Sequence, residues 1–258
     1  MVTSNNYLVK RLTDLMEDFR KYARDLGVDL FGVADLTTAK DFIRGQGGEH
    51  LAGFNRSLSL GVRLMDDVVD ELIHHDSLVA IATYRSMYIT VNSTLDRIAF
   101  LVAKKIQETG FRAYPVPATQ TLNNGRFEAV FSHKLAANLA GLGWIGKNCL
   151  LITPDYGPRI RLATILTDAP LDPGAPIKGG CERCHRCINI CPVKALTGVA
   201  FDPSEPRDIR FQASLCDQYT EGRIPAFGDI NCGLCMHICP YGRANVKSNT
   251  ISSKAINS

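Results

Sequence analysis

Four cysteines fall within eleven residues in the stretch CERCHRCINICPVKAL: Cys181, Cys184, Cys187 and Cys191, separated by two, two and three residues and followed by Pro192. No other feature limits the fold as tightly. Thiols at this spacing wrap three corners of one cubane iron-sulfur cluster, while the fourth, one residue further on and stopped by proline, is aimed at a neighbouring cluster. A second cluster is therefore implied. Cys232, Cys235 and Cys239, followed by Pro240, repeat the two- and three-residue spacings, and the thiol expected just before Cys232 is found upstream at Cys216. The crossover rule gives Cys181, Cys184, Cys187 and Cys239 to one 4Fe-4S cluster and Cys191, Cys216, Cys232 and Cys235 to the other. A pair of four-cysteine zinc sites is the alternative, because such sites also use C-x2-C pairs; it leaves the repeated C-x3-C-P endings without a reason.

The rest of the chain agrees with metal-binding thiols in a reducing compartment. The N-terminus, MVTSNNYLVKRLTDLMEDF, carries charges throughout and has no apolar signal core, which reads as cytoplasmic. Disulfides rarely persist there, so nine cysteines point to metal. No apolar run is long enough to span a membrane. The 29 basic and 26 acidic residues are spread along the chain, and without a basic block or interleaved aromatics the pattern argues against tRNA or other nucleic acid. Cys149 opens an apolar strand and reads as a small buried hydrophobe. His185 and His237 lie inside the cysteine runs, where hydrogen bonds from them would tune a cluster, or where they simply face solvent; His74 and His75 read as solvated.

An apolar fraction of 45% is ample for a core. Helical spacing over residues 8–26 ends at Gly27, and VDLFGVADL reads as a strand. Residues 44–61 are rich in glycine and polar side chains and read as a surface loop. SLVAIATY, residues 77–84, reads as a second strand. Ser93 or Thr94 caps a helix with inward Leu95, Ile98, Ala99, Val102 and Ile106, closed by Gly110. FRAYPVPA is extended, Ser132 opens a helix through Ala140, and CLLIT and IRLATILTD follow as strands. Mixed helices and strands give an α+β class. At APLDPGAPIKGG proline and glycine take over, and eight of the nine cysteines lie beyond it. The expected division is a cofactor or substrate domain over 1–170, a bacterial-ferredoxin-like double 4Fe-4S domain over 171–245 and a frayed tail over 246–258.

The second dense stretch is SHKLAANLAGLGWIGKNCLLI, where Gly141, Gly143 and Gly146 surround the only tryptophan. The backbone must bend and approach something closely, or else it makes a tight helix-to-strand connection. It follows a helix and lacks G-x-G-x-x-G spacing, so it is no dinucleotide fingerprint. Taken in order, HKLAANLAGLGWIGKN, ILTDAPL, the C-x2-C-x2-C-x3-C-P run, LCDQYTEGRIP and CGLCMHICP resemble epoxyqueuosine reductase and its relatives, with similarity reaching upstream to LGVDLFGVADL. The resemblance implies a nitroreductase-like sheet domain with flanking helices, two 4Fe-4S clusters, and a cobalamin held base-off and reduced through them. It places Ser132, His133, Gly141, Gly143, Trp144, Gly146, Lys147 and Asn148 at the corrinoid. Where these reductases have V-D-S-A-P with an aspartate as proton donor, this chain has RFEAVFSHK, with Phe127 in register and Glu128 one place later. Their C-terminal helical-repeat domain that helps hold tRNA has no counterpart, which points to a small substrate or a protein partner.

The expected function is an iron-sulfur oxidoreductase that passes low-potential electrons to a corrinoid for reduction of a small substrate. Glu128, Tyr88 and Tyr114 are the candidate catalytic acids; packing tyrosines and a solvated glutamate are their plain alternatives. Expected partners are an electron donor such as a ferredoxin or flavodoxin and a small molecule or corrinoid protein. The alternative is a non-catalytic electron-transfer protein that reduces a partner's corrinoid or metal centre.

Overall fold

The computed structural model describes residues 2–119, 122, 128–221 and 232–243, the first eleven of them in backbone only. Phe127 and the 246–258 tail lie outside the described residues. Two compact units share the chain. One is drawn from Met1–Val62, Thr90–Leu142 and Arg161–Ile177, the other from Arg63–Ile89, Gly143–Ile160 and Lys178–Ser258. The last passage from the first unit to the second, after Ile177, falls in the proline- and glycine-rich stretch, but residues 63–89 and 143–160 also group with the cysteine runs.

The first unit is built on a four-stranded sheet of order β1-β2-β6-β3, with β1 Leu30–Asp35, β2 Arg56–Arg63, β3 Ala113–Val116 and β6 Ile160–Thr167. β1 runs antiparallel to β2, from Leu30 opposite Gly61 to Asp35 opposite Arg56, and β3 antiparallel to β6. Helix α1, Val2–Asp25, stops at Gly27, whose φ of +101° suits a residue without Cβ. Helix α5, His133–Leu139, is capped by Ser132, whose Oγ accepts from the Leu135 N–H at 3.3 Å. It packs on β1, where Gly32 leaves only enough room for Ala140 and Leu142. Ala34, Leu36, Ile43, Leu51, Phe54, Val116, Phe131, Ala136 and Leu166 form one core cluster there.

Two sequence expectations are corrected. Residues 44–61 are not a surface loop: they hold most of helix α2, Lys40–Ala52, and most of β2. Glycines made this segment look irregular, yet Gly47 is there because a Cβ would come within 2.3 Å of the Val130 carbonyl, and in β2 four consecutive residues from Ser57 to Leu60 are fully buried. Residues 77–84 are not a strand but the start of helix α4, Leu78–Glu108, which continues through the helix expected from Ser93. Its buried residues Ala80, Ile81, Tyr84, Val91, Leu95, Ile98, Ala99, Val102 and Ile106 recur at helical intervals. A short apolar run shows no period of its own, so only the longer pattern distinguishes helix from strand.

The second unit contains α3, Asp66–Asp70, the start of α4, and a two-stranded ribbon of β4, Trp144–Ile145, and β5, Leu151–Ile152. Three short helices, α6 Arg186–Ile190, α7 Ala213–Glu221 and α8 Leu234–His237, carry cysteines. Arg159, 1% exposed, ties this unit together by pairing with Asp66 and Asp70 on α3. Among the described residues no helix is long and apolar enough to cross a membrane.

Candidate metal centre

The cysteine runs form loops that are closed by very short helices. The Cys184 N–H bonds the Cys181 carbonyl at 2.6 Å, and Glu182 between them adopts a left-handed φ of +37°. α6 then carries Cys187 and α8 carries Cys235, and the two helices pack on each other. Proline after Cys191 and Cys239 ends each run. So far this is local geometry set by spacing and turn residues.

What tertiary structure adds is the grouping. Cys181, Cys184, Cys187 and Cys239 line one pocket together with Asn148, Arg186 and Tyr241, although Cys239 stands far from the other three in sequence. Cys191 and Cys187 are buried with Ala195 and Leu196 in an apolar cluster, against which Cys216, Cys235, Phe211 and Ile238 pack, so the two sets of thiols adjoin there. Electrostatics sorts the thiols in nearly the same way. Burial, reinforced by Cys181 and Cys184, pushes Cys187 up to about 11, and burial with Cys181, Cys187 and Cys184 pushes Cys239 up to about 12. Burial with Cys232 and Cys191 pushes Cys216 up to about 11, and burial followed by Cys232 and Cys216 raises Cys235. Thiols that resist losing their protons together need a strongly positive inorganic partner to become thiolates, which is what a cluster's iron supplies.

Among the described residues no three His, Cys, Asp or Glu side chains are grouped to hold one metal ion. The four thiols of the first set border one pocket. Backbone N–H groups address thiol sulfurs: Lys147 N lies 3.4 Å from Cys181 Sγ, and Ala195 N 3.3 Å from Cys191 Sγ. Such bonds favour the thiolate and raise a cluster's potential. Cys149 is buried, with φ of +56°.

The residues that the resemblance gives to a corrinoid are divided between the units, with Ser132, His133 and Gly141 in the first and Gly143, Trp144, Gly146, Lys147 and Asn148 in the second. In the first unit, the His133 ring is fully engaged: Nδ1 lies 2.8 Å from Thr164 Oγ1 and Nε2 2.9 Å from the Pro117 carbonyl. Ser132 is the cap of α5, and a Cβ on Gly141 would come within 2.4 Å of the Ala175 carbonyl. In the second unit, a Cβ on Gly143 would lie 2.2 Å from the Ile152 carbonyl, and one on Gly146 2.8 Å from Asn148 Oδ1. The close approach that the glycines serve is therefore to the chain's own backbone and side chains.

Trp144, Lys147 and Asn148 turn instead to the cysteine loops. Lys147 Nζ donates to the Glu182 carbonyl at 2.8 Å, and Asn148 Nδ2 donates to the Cys235 carbonyl at 3.2 Å. Trp144 stacks edge-on against Tyr241 at 4.9 Å, and Tyr241 donates to the Gly180 carbonyl at 3.2 Å. Sequence reasoning missed this bracket, and missed the part α3 plays: the buried His237 Nδ1 is 3.1 Å from the Val69 carbonyl. No spacing rule links residues 168 positions apart.

The three candidate acids have separate surroundings. Tyr114 in β3 sits edge-on to His50 at 6.0 Å beside Phe54, Tyr88 in α4 lies 6.3 Å from the Tyr84 ring, and Glu128 is half-buried, its carbonyl accepting from Leu122 N at 2.7 Å. His75 is not simply solvated, since its Nε2 lies 3.2 Å from the Tyr219 hydroxyl.

Residues 180–242 match the family described as a 4Fe-4S double cluster binding domain, a segment that contains all eight cysteines of the two sets. An epoxyqueuosine reductase of Listeria monocytogenes is 34% identical over 115 residues, covering 42% of this chain and 29% of that protein. A tetrachloroethene reductive dehalogenase of Sulfurospirillum multivorans is 34% identical over 116 residues, 42% of this chain and 23% of that protein. The matched segments thus span about a third or less of these relatives. Among solved structures, a catabolic reductive dehalogenase in complex with 3-bromo-4-hydroxybenzoic acid superposes with a TM-score of 0.65 at 19% identity, covering 93% of this chain and 33% of that one. An epoxyqueuosine reductase bound to a modified tRNA-Tyr stem loop gives 0.57 at 18% identity over 89% and 65%.

Proposed function

We propose that this homologue of the epoxyqueuosine reductases is an iron-sulfur reductase that takes up electrons one at a time through two 4Fe-4S clusters and delivers them to a corrinoid for reduction of a small substrate. The observation that carries the reading is the pocket in which Cys239 joins Cys181, Cys184 and Cys187. That pairing is what two interleaved clusters demand and what two independent sites would lack. When bound, the clusters supply reversible one-electron storage. The protein's own part is to hold eight thiols in two sets, shield them with Leu234, Met236 and Ile152, and aim N–H groups at Cys181 and Cys191.

Cobalamin is supported by the order of sequence motifs and by likeness to folds that include a dehalogenase described as B12-dependent. The nitroreductase-like description of the first unit has the same support. The glycines of the turn offer no open cradle, so no step is derived through the corrinoid. For a proton donor, Tyr114, Tyr88 and Glu128 remain the candidates. The sequence argument against tRNA gains no support from relatives that include a tRNA-bound epoxyqueuosine reductase, so a modified nucleoside stands beside other small substrates. Cytoplasmic residence fits a chemistry that needs reduced thiols.

The test is anaerobic reconstitution followed by iron and sulfide analysis and a visible-region titration with cob(II)alamin. About eight iron and eight sulfide per chain together with tight base-off binding are expected. Clusters without corrinoid binding would favour the electron-transfer protein, and stoichiometric zinc without sulfide would sink both readings.

A further inference from the structure

The positive charge of this chain is gathered around one of its cysteine loops. Between residues 178 and 194, Lys178, Arg183, Arg186 and Lys194 face Glu182 as the only acid, a net of +3 that equals the charge of the whole chain. The remainder of the sequence is balanced. All four cations are exposed, and so is His185. Among the described residues Lys178, Arg183 and Arg186 make no ion pair, whereas Arg44, Arg56, Arg63 and Arg159 all do.

This charge sits beside two thiols that reach water. Cys181 and Cys184 are half-buried and Arg186 lines their pocket. Lys147 adds a further cation from outside the run, its Nζ 2.8 Å from the Glu182 carbonyl and 3.4 Å from the Cys184 carbonyl. The other run is its opposite: Leu234, Met236 and His237 around Cys235 are buried, and no Lys, Arg, Asp or Glu lies between Cys232 and Cys239. Charge therefore crowds the edge of the first cluster, whereas the run from Cys232 to Cys239 supplies none.

We propose that the face formed by Lys178, Arg183, Arg186 and Lys147 is the docking surface for an acidic one-electron carrier protein, and that electrons enter through the cluster of Cys181, Cys184, Cys187 and Cys239. The inference rests on the double-cluster reading and names the partner and the place of entry. Unpaired cations around an accessible redox centre steer an anionic partner and raise its encounter rate, and they do so less as salt screens them. The step is a single electron transfer: the carrier is oxidised, the cluster is reduced by one unit of charge, and no bond is made or broken. An RNA backbone would also be drawn to cations, but it gives no reason for them to gather around a redox centre.

The test compares the reconstituted full chain with the double variant Lys178→Glu/Arg183→Glu, neither residue being a cluster ligand or part of the pocket lining. Stopped-flow reduction of the clusters by a photoreduced flavodoxin, an acidic carrier, is expected to slow about tenfold in the variant at low salt, and wild type should approach the variant's rate at high salt. Reduction by photoreduced deazariboflavin, which is small and uncharged, should be the same in both proteins. Equal flavodoxin rates in the two proteins would overturn the proposal, as would a wild type that deazariboflavin reduces and flavodoxin does not. Loss of affinity for an RNA stem loop in the variant with an unchanged flavodoxin rate would give the face to RNA and overturn it too. Neither cobalamin nor substrate enters the measurement, so failure of corrinoid chemistry would leave this result standing.

Discussion

Lys147 Nζ lies 2.8 Å from the carbonyl of Glu182, a residue 35 positions later that sits in left-handed backbone between Cys181 and Cys184. A non-glycine residue at positive φ is costly and persists only where its surroundings hold it. Here the ammonium captures the carbonyl that the turn exposes, and the same residue's N–H addresses Cys181 Sγ.

Replacing Lys147 by Met should therefore lower the midpoint potential of one cluster. Losing a nearby cation disfavours the reduced, more negative state. Lys147→Arg, which keeps the charge, should stay near wild type. EPR-monitored potentiometry reads both, and an unmoved potential in the Met variant with both clusters present would reduce Lys147 to a packing residue.

Cys239→Ala should cost about half the iron and sulfide, and the cluster lost should be the one bound by Cys181, Cys184 and Cys187. Cys149→Ser should leave the content unchanged, since eight other cysteines complete both sets of ligands. If Cys239→Ala removes the cluster of Cys232 and Cys235 instead, the crossover assignment is wrong.

Gly143→Ala tests what the glycine turn is for. Its Cβ would press on the Ile152 carbonyl at 2.2 Å, where β4 pairs with β5, so a stability loss of about 1–3 kcal/mol is expected, seen as a lower thermal midpoint. A variant of unchanged midpoint that fails only to bind cobalamin would restore the turn as a ligand cradle.

His133 should make stability depend on pH. Desolvation holds its imidazole down to about 4, against an ordinary 6.5, although the Pro117 carbonyl works in the other direction. The folded protein keeps the ring neutral while the unfolded chain takes up a proton. Stability is therefore unaffected above pH 6.5 and falls as pH drops from there toward 4, by on the order of 2 kcal/mol for a residue that is half-buried at the surface. Denaturant titrations across that window should show a shallower slope for His133→Gln; equal slopes would refute this.

The spacing of eight cysteines, with proline after each run, was enough by itself to specify two interleaved clusters, because ligand geometry is a local constraint written into intervals of two and three residues. Helices with a sustained apolar period, such as α1 and the later turns of α4, were legible for the same reason, as was the Ser132 cap. Residues 77–84 and 44–61 were not, since short apolar runs and scattered glycines take their conformation from what packs on them. Tertiary structure alone decided that Arg159 and α3 support the cysteine loops, and that Trp144, Lys147 and Asn148 brace those loops. These are contacts between residues tens to more than a hundred positions apart, and the free energy that selects them comes from burial and hydrogen bonding in three dimensions, which leaves no periodicity along the chain.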